Sequence, residues 1–408
     1  MQMPGSYLTD EFVMRVLGPG SGGELAWDII NGVFVMLAAL WIAGKERRAA
    51  AIVAASLAYL WHLKDGAWFL GERDWTVAML LLLSIACLLQ FLRSSWPVWM
   101  GSAFFCAGLA TTIKPPALLV TVACALLILW NPRRSSSSAR QVVLWSTFGL
   151  LVPFAVVAIY IFRFHVFHEF LASATQLTAY YASLQHVSFM KLLRGIRLLV
   201  LLGVLAFIFF LLNRSWRSTE SLMLLVATLC AGAMYLIQGK GFSYHTYPVV
   251  AFLFIWLVLE LEKSSRVNWS RALVSGCVLA VLIVDLSLIS ISREESAIYP
   301  MGTLDSLQQD LTALNVPDLS GHIQCLDMTL GSCLNVLYRM KLVQSTGYLS
   351  DFYLFPSRPT SLTDRYQRQS INWSRQIHQR LLYLVLTHGR VLRKVMRNCA
   401  IFRCCNNI

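Results

Sequence analysis

The sequence predicts an all-α polytopic membrane protein with about ten transmembrane helices and a small α/β C-terminal exterior domain. Three observations lead there. Apolar residues make up 57% of the 408 and charged residues only 13%, too few to cover a water-soluble surface. The apolar residues fall in discrete runs of roughly 14 to 20 separated by short polar breaks, as helices crossing a core of about 30 Å require and a transmembrane barrel does not. These runs stop near residue 291, leaving the polar stretch 292–408 for a separate domain.

The runs are 27–43, 49–63, 76–92, 98–113, 117–130, 142–161, 198–212, 221–237, 249–261 and 272–291. Alternate connections are basic: Lys45, Arg47 and Arg48; Arg93; Arg133, Arg134 and Arg140; Arg214 and Arg217; Lys263, Arg266 and Arg271. The positive-inside rule assigns these to the cytoplasm. The connections holding 71–74, 114–116, 163–197 and 238–248 then lie outside, with both termini. Orientation thus accounts for the net charge of +13, and no nucleic-acid partner is expected.

Residues 1–26 form an exterior juxtamembrane segment, in which 6–17 has the apolar spacing of a short surface helix. They carry no export signal, so either the first span inserts with its N-terminus outside or the natural chain has a further helix upstream. After the multispan domain 27–291, residues 292–360 read as a small exterior domain, with a helix-like run over 304–314 and strand-like runs over 322–326 and 333–340. Cys325 and Cys333 are there either as a disulfide or as buried thiols. The last 40 residues hold seven Lys or Arg and no acid. The tail 361–408, which ends in this stretch, reads as poorly packed, its end being either a basic helix over 377–397 lying on anionic lipid or one that does not continue the preceding domain.

No soluble-enzyme signature survives. The glycine-rich run 18–23 lacks the Lys-Ser/Thr of a phosphate loop and follows no strand. No Asp-x-Asp occurs, so the usual metal clamp for a nucleotide sugar is missing. His165 and His168 have no evident third ligand and read as interfacial histidines, not a metal site. No cofactor is required, although a divalent cation stays compatible with a phosphate-binding face.

What carries chemistry is a set of polar residues on the exterior side. Gly71-Glu72-Arg73-Asp74-Trp75 precedes a span, with an Arg able to hold phosphate and two carboxylates able to pair with it or take a proton. Its plainer reading is an interfacial charge cluster with a Trp anchor. In Thr112-Ile113-Lys114-Pro115-Pro116 a lone Lys between apolar runs is fixed by two helix-ending prolines, or merely snorkels. In 238–248, Gly239 and Gly241 break the helix while Gln238, Lys240, Tyr244 and His245 supply amide, cation, hydroxyl and imidazole; irregular backbone at a membrane face lines a cavity or makes a plain re-entrant connection.

Taken in order, Gly71-x-Arg73-Asp74, then Gly108-Leu109-Ala110 leading to Lys114-Pro115, then Gln238-Gly239-Lys240-Gly241 leading to Tyr244-His245 and Pro248, resemble bacterial multispan glycosyltransferases of the GT-C type. This broad class includes protein O-mannosyltransferase-like and lipid A sugar-transferase-like families. The resemblance covers about residues 4–355. It implies a sugar taken from a polyprenyl-phosphate donor and passed to a lipid, glycan or protein acceptor at the exterior face of the bacterial cytoplasmic membrane. It also implies a catalytic acid in the first exterior loop, behind a helix that would precede the residues given, since 4–7 resembles the later part of such a loop.

On that footing Asp74, Glu72 and Asp10 are the candidate catalytic acids. Arg73, Lys114, Gln238, Lys240, Tyr244 and His245 are the candidate substrate-binding groups. A carboxylate deprotonates the acceptor hydroxyl, and cations stabilise the departing phosphate without needing a metal. The rivals are a transporter or flippase, which would place binding groups near the midplane and show inverted repeats, and an inactive scaffold of the same fold.

Overall fold

The structure, a computed structural model, describes residues 3–18, 21–66, 69–129, 138–172, 174–175 and 187–296, and beyond them 301–313, 319–321, 323–326, 336–337, 340–343, 364, 368, 382–387 and 390–391. The chain divides into two units, 1–297 and 298–408.

Every apolar run of the first unit lies on a helix. A short helix α1 (Pro4–Val16), started by Pro4 in its first turn, leads to α2 (Ser21–Ala43), α3 (Arg48–Leu63), α4 (Arg73–Ser94), α5 (Pro97–Ile113), α6 (Leu118–Leu129) and α7 (Ala139–Arg163). The long connection predicted over 163–197 contributes two short helices, α8 (Phe167–Ala172) and α9 (Phe189–Gly195). Then follow α10 (Arg197–Leu212), α11 (Thr219–Gln238), α12 (Tyr247–Ser265) and α13 (Trp269–Ser296).

The ten expected runs lie on helices of unequal length. Among the described residues six helices are long and apolar enough to cross a bilayer, and a seventh span is formed if α9 and α10, bent by 72°, count as one. The helices α3, α5 and α6 are shorter. The reason for α5 and α6 is local: Pro115 and Pro116 cannot continue a helix, so the chain turns through a 3₁₀ segment, Pro115–Ala117, and leaves Lys114 at the break. At 1.5 Å per residue, the 17 residues of α5 rise about 25 Å, at the short end of what crosses a bilayer core.

α12 is apolar all round and sits at the centre, with α4 beside it; their spans are 89% and 83% buried, against 17% for α7 and α13 at the periphery. Where α5 meets α7 the backbones touch. A Cβ added at Gly149 would lie 2.1 Å from the Gly101 carbonyl oxygen, so small residues set this crossing. Gly149→Ala should therefore destabilise the bundle by about 1–3 kcal/mol, read as a lower thermal midpoint in detergent. An unchanged midpoint would mean that the two helices are not in contact there.

At one end of the bundle Glu260, fully buried, ties α12 to the connection after α10. It accepts from Asn213 Nδ2 at 3.0 Å, Ser215 Oγ at 2.6 Å and Ser221 Oγ at 2.8 Å, and pairs with Lys263 at 3.0 Å. The chemistry-bearing residues gather at the other end.

In the second unit, α14 (Met301–Ala313) packs Leu307 and Leu311 with Ile323, Val336 and Leu337. Ile323–Leu326 (β1) pairs in parallel with Leu382–Thr387 (β2), register Ile323 opposite Leu382, and β2 pairs antiparallel with Arg390–Val391 (β3). Of the two readings of the tail, the one as a helix over 377–397 is corrected by these strands. Leu382-Tyr-Leu-Val-Leu-Thr387 is a continuous apolar run of strand length, which periodicity alone does not distinguish from a buried helical stripe. Cys333 and the run 344–363 lie outside the described residues, and so does the pairing of Cys325 with Cys333.

Candidate functional site

Three segments far apart in sequence converge at the site end. Asp74 lies in the first turn of α4, where a carboxylate is stabilised by the positive end of the helix dipole. Lys114 caps the C-terminal end of α5, just after Ile113, in extended conformation because Pro115 follows. His245 sits in a 3₁₀ turn, Ser243–Thr246, that opens α12. Lys114 Nζ is paired with Asp74 Oδ1 and lies 3.3 Å from His245 Nδ1, which is itself 3.1 Å from Asp74 Oδ2. All three side chains are largely buried, at 7% exposure for Asp74, 14% for Lys114 and 12% for His245. Nδ1 can donate a hydrogen bond to Asp74 or accept one from Lys114, but not both, so the tautomer of His245 decides which of the two contacts is a hydrogen bond.

Glycines give the loops their shape. Gly71 adopts φ +70° just before Glu72, and Gly239 adopts φ +62° where α11 ends, left-handed values that other residues avoid. The second turn carries Lys240, 8% exposed, whose ammonium burial holds below the usual lysine range. Tyr244 packs at 4.4 Å from the His245 ring and stacks on Phe242 at 5.4 Å, with Phe69 at 5.7 Å. These rings form an aromatic wall beside the charged groups.

Glu72 and Arg73 flank Asp74. Burial, opposed by the Arg73 charge and reinforced by Asp74, raises the Glu72 carboxyl above the ordinary glutamate range. Asp10, exposed on α1, lies in the field of Arg73. Gln238, by contrast, donates to the Met234 carbonyl of its own helix at 3.0 Å. Thus Asp74, Lys114 and His245 are joined directly, Glu72, Arg73 and Asp10 are coupled electrostatically around them, and Gln238 is engaged locally. Among the described residues no group of three metal-ligating side chains occurs.

A second buried cluster was missed by sequence reasoning. Asp28, in α2, is fully buried and accepts from Gly71 N at 3.2 Å and Tyr59 OH at 3.0 Å; His62 Nε2 is 2.7 Å from its Oδ1. His62 stacks on Trp75 at 4.9 Å with an interplanar angle of 6° and meets Tyr247 edge-on at 4.7 Å. Tyr247 OH in turn donates to Asp65 Oδ2 at 3.0 Å. Asp28 therefore grips the backbone of the turn that carries Glu72, Arg73 and Asp74. The available signal was an Asp and a His at the edges of apolar runs, since ionisable groups at membrane depth are kept only with partners.

A polytopic helical membrane protein with a charged cluster at one end, built on glycine and proline breaks, is the class that fold and site define. That fold is shared with a protein of known structure. Among solved structures it is similar to ArnT from Cupriavidus metallidurans bound to undecaprenyl phosphate, with a TM-score of 0.51, 15% identity, and coverage of 96% of this chain and 87% of that one. No family model matches the chain, and no curated protein sequence matches it.

Proposed function

We propose that the chain is a membrane glycosyltransferase that moves a sugar from a polyprenyl-phosphate carrier to a lipid, glycan or protein acceptor at the exterior face of the bacterial cytoplasmic membrane. The observation that carries this reading is the convergence of Asp74, Lys114 and His245 at one end of a GT-C type bundle. A fold shared with a protein that holds undecaprenyl phosphate supports the donor class.

In this reaction the acceptor hydroxyl loses its proton to a carboxylate, its oxygen bonds to the anomeric carbon, and the bond from that carbon to the phosphate oxygen breaks. The electron pair leaves with the polyprenyl phosphate, where Lys114 and Arg73 meet the developing charge. Asp74 holds Lys114 and His245 in place. Of the described carboxylates Glu72 suits the base best, because its raised proton affinity brings it nearer the working pH. Lys240 and Tyr244 line the approach on the 238–248 turn.

Rate should therefore fall as pH drops through the raised Glu72 value, where the base becomes protonated and idle. Glu72→Gln should be slow at all pH values and lack that acidic limb; a limb unchanged in the variant would move the base elsewhere. The functional test uses proteoliposomes loaded with a labelled polyprenyl-phosphate sugar and a membrane acceptor extract. Transfer of label, lowered about 10²-fold by His245→Ala at equal protein level, supports the assignment. Counterflow of solute with no glycosyl transfer would establish a transporter, and neither activity would establish a scaffold.

A further inference from the structure

The end of the bundle opposite the site, which the positive-inside rule assigns to the cytoplasm, holds a cavity of ≈ 530 Å³ lined by five cationic side chains and two carboxylates. Three of the cations have partners. Arg47 bonds Glu220 at 2.8 Å, Lys263 pairs with Glu260 at 3.0 Å, and Arg266 pairs with Glu262. Arg214 and Arg217 differ: both are exposed, and among the described residues neither has a carboxylate within ion-pair distance.

These two arginines flank one short turn, Ser215–Arg217, between α10 and α11. Ser218, which also lines the cavity, caps the 20-residue helix α11, whose N-terminal end adds positive potential. Topology requires cations in a cytoplasmic connection. It does not require an open cavity in which Glu220, Glu260 and Glu262 are already taken and two guanidinium groups are left over.

We propose that this cavity binds a phosphate-bearing ligand, held by Arg214 and Arg217. A guanidinium fork matches two phosphate oxygens, and a site of this volume admits a headgroup or a small phosphorylated solute. The phosphate could belong to an anionic phospholipid, since basic pockets between transmembrane helices take such headgroups, or to a soluble compound. The site is independent of the exterior cluster and does not rest on the glycosyltransferase reading.

Purified full-length protein separates the two sources. Native mass spectrometry counts phosphatidylglycerol against phosphatidylcholine retained in detergent, and calorimetry measures inorganic pyrophosphate. Arg214→Gln/Arg217→Gln should weaken the preferred probe about tenfold. Glu46→Gln, which removes an unpaired acid from the lining, should tighten it about threefold. Phosphatidylglycerol selectivity that the double variant loses establishes a lipid headgroup; pyrophosphate binding that it loses establishes a soluble ligand. Both support the site. Binding unchanged in Glu46→Gln and in the double variant, or no binding of either probe by the native chain, overturns it.

Discussion

Lys114→Ala is expected to lower sugar transfer about 10²–10³-fold, the range found when one preorganised charge-stabilising donor is removed. Lys114 is the cation that the fold holds most firmly at the site, fixed by the proline break after it and by Asp74 and His245 on either side. The same change leaves the Asp74 carboxylate buried without its main counter-charge, so stability should fall by about 3 kcal/mol. The two effects can be separated. In Asp74→Asn/Lys114→Met neither charge is left uncompensated, and the thermal midpoint should recover most of that loss while activity stays absent. Recovery of activity along with stability would show that Lys114 serves the fold alone.

Asp28→Ala should be as damaging without touching any substrate group. The carboxylate satisfies three partners at once, and its loss leaves Tyr59 OH, the Gly71 amide and His62 without an acceptor in a buried setting. Orphaned buried groups cost about 1–3 kcal/mol each, and here the Gly71 turn would also lose its anchor. The expected result is a midpoint lowered by several degrees, with transfer reduced about tenfold or more because Glu72, Arg73 and Asp74 move together. Asp28→Asn keeps an acceptor oxygen and should be milder in both respects. Equal transfer by native protein and Asp28→Ala would mean that the 71–74 turn is positioned some other way.

The helices were legible because apolar runs bounded by Arg, Gly and Pro leave little choice in a membrane. Their lengths were less so: the double proline at 115–116 marked a break, but only the geometry shows that it leaves α6 with 12 residues and α5 with 17. Asp74, Lys114 and His245 were each visible as polar interruptions. That they meet was not, because 171 residues separate Asp74 from His245 and no local pattern encodes the packing of α4 beside α12. Asp28 and His62 escaped notice for a related reason, lying where a span begins or ends and reading as interfacial. The strand Leu382–Thr387 was hidden by uniformity, since a run without polar residues has no period to read.

The central claim is that one end of this bundle transfers sugar from a polyprenyl phosphate with Lys114 on the leaving phosphate. Incubating purified protein with a radiolabelled polyprenyl-phosphate sugar and acceptor membranes, and following both labelled acceptor and released polyprenyl phosphate, tests it most directly. The account predicts that the two products appear together with the native chain and fall about 10²-fold or more with Lys114→Ala. Equal turnover by the Lys114→Ala protein would contradict it, as would a donor left intact while the native protein exchanges solute across the bilayer.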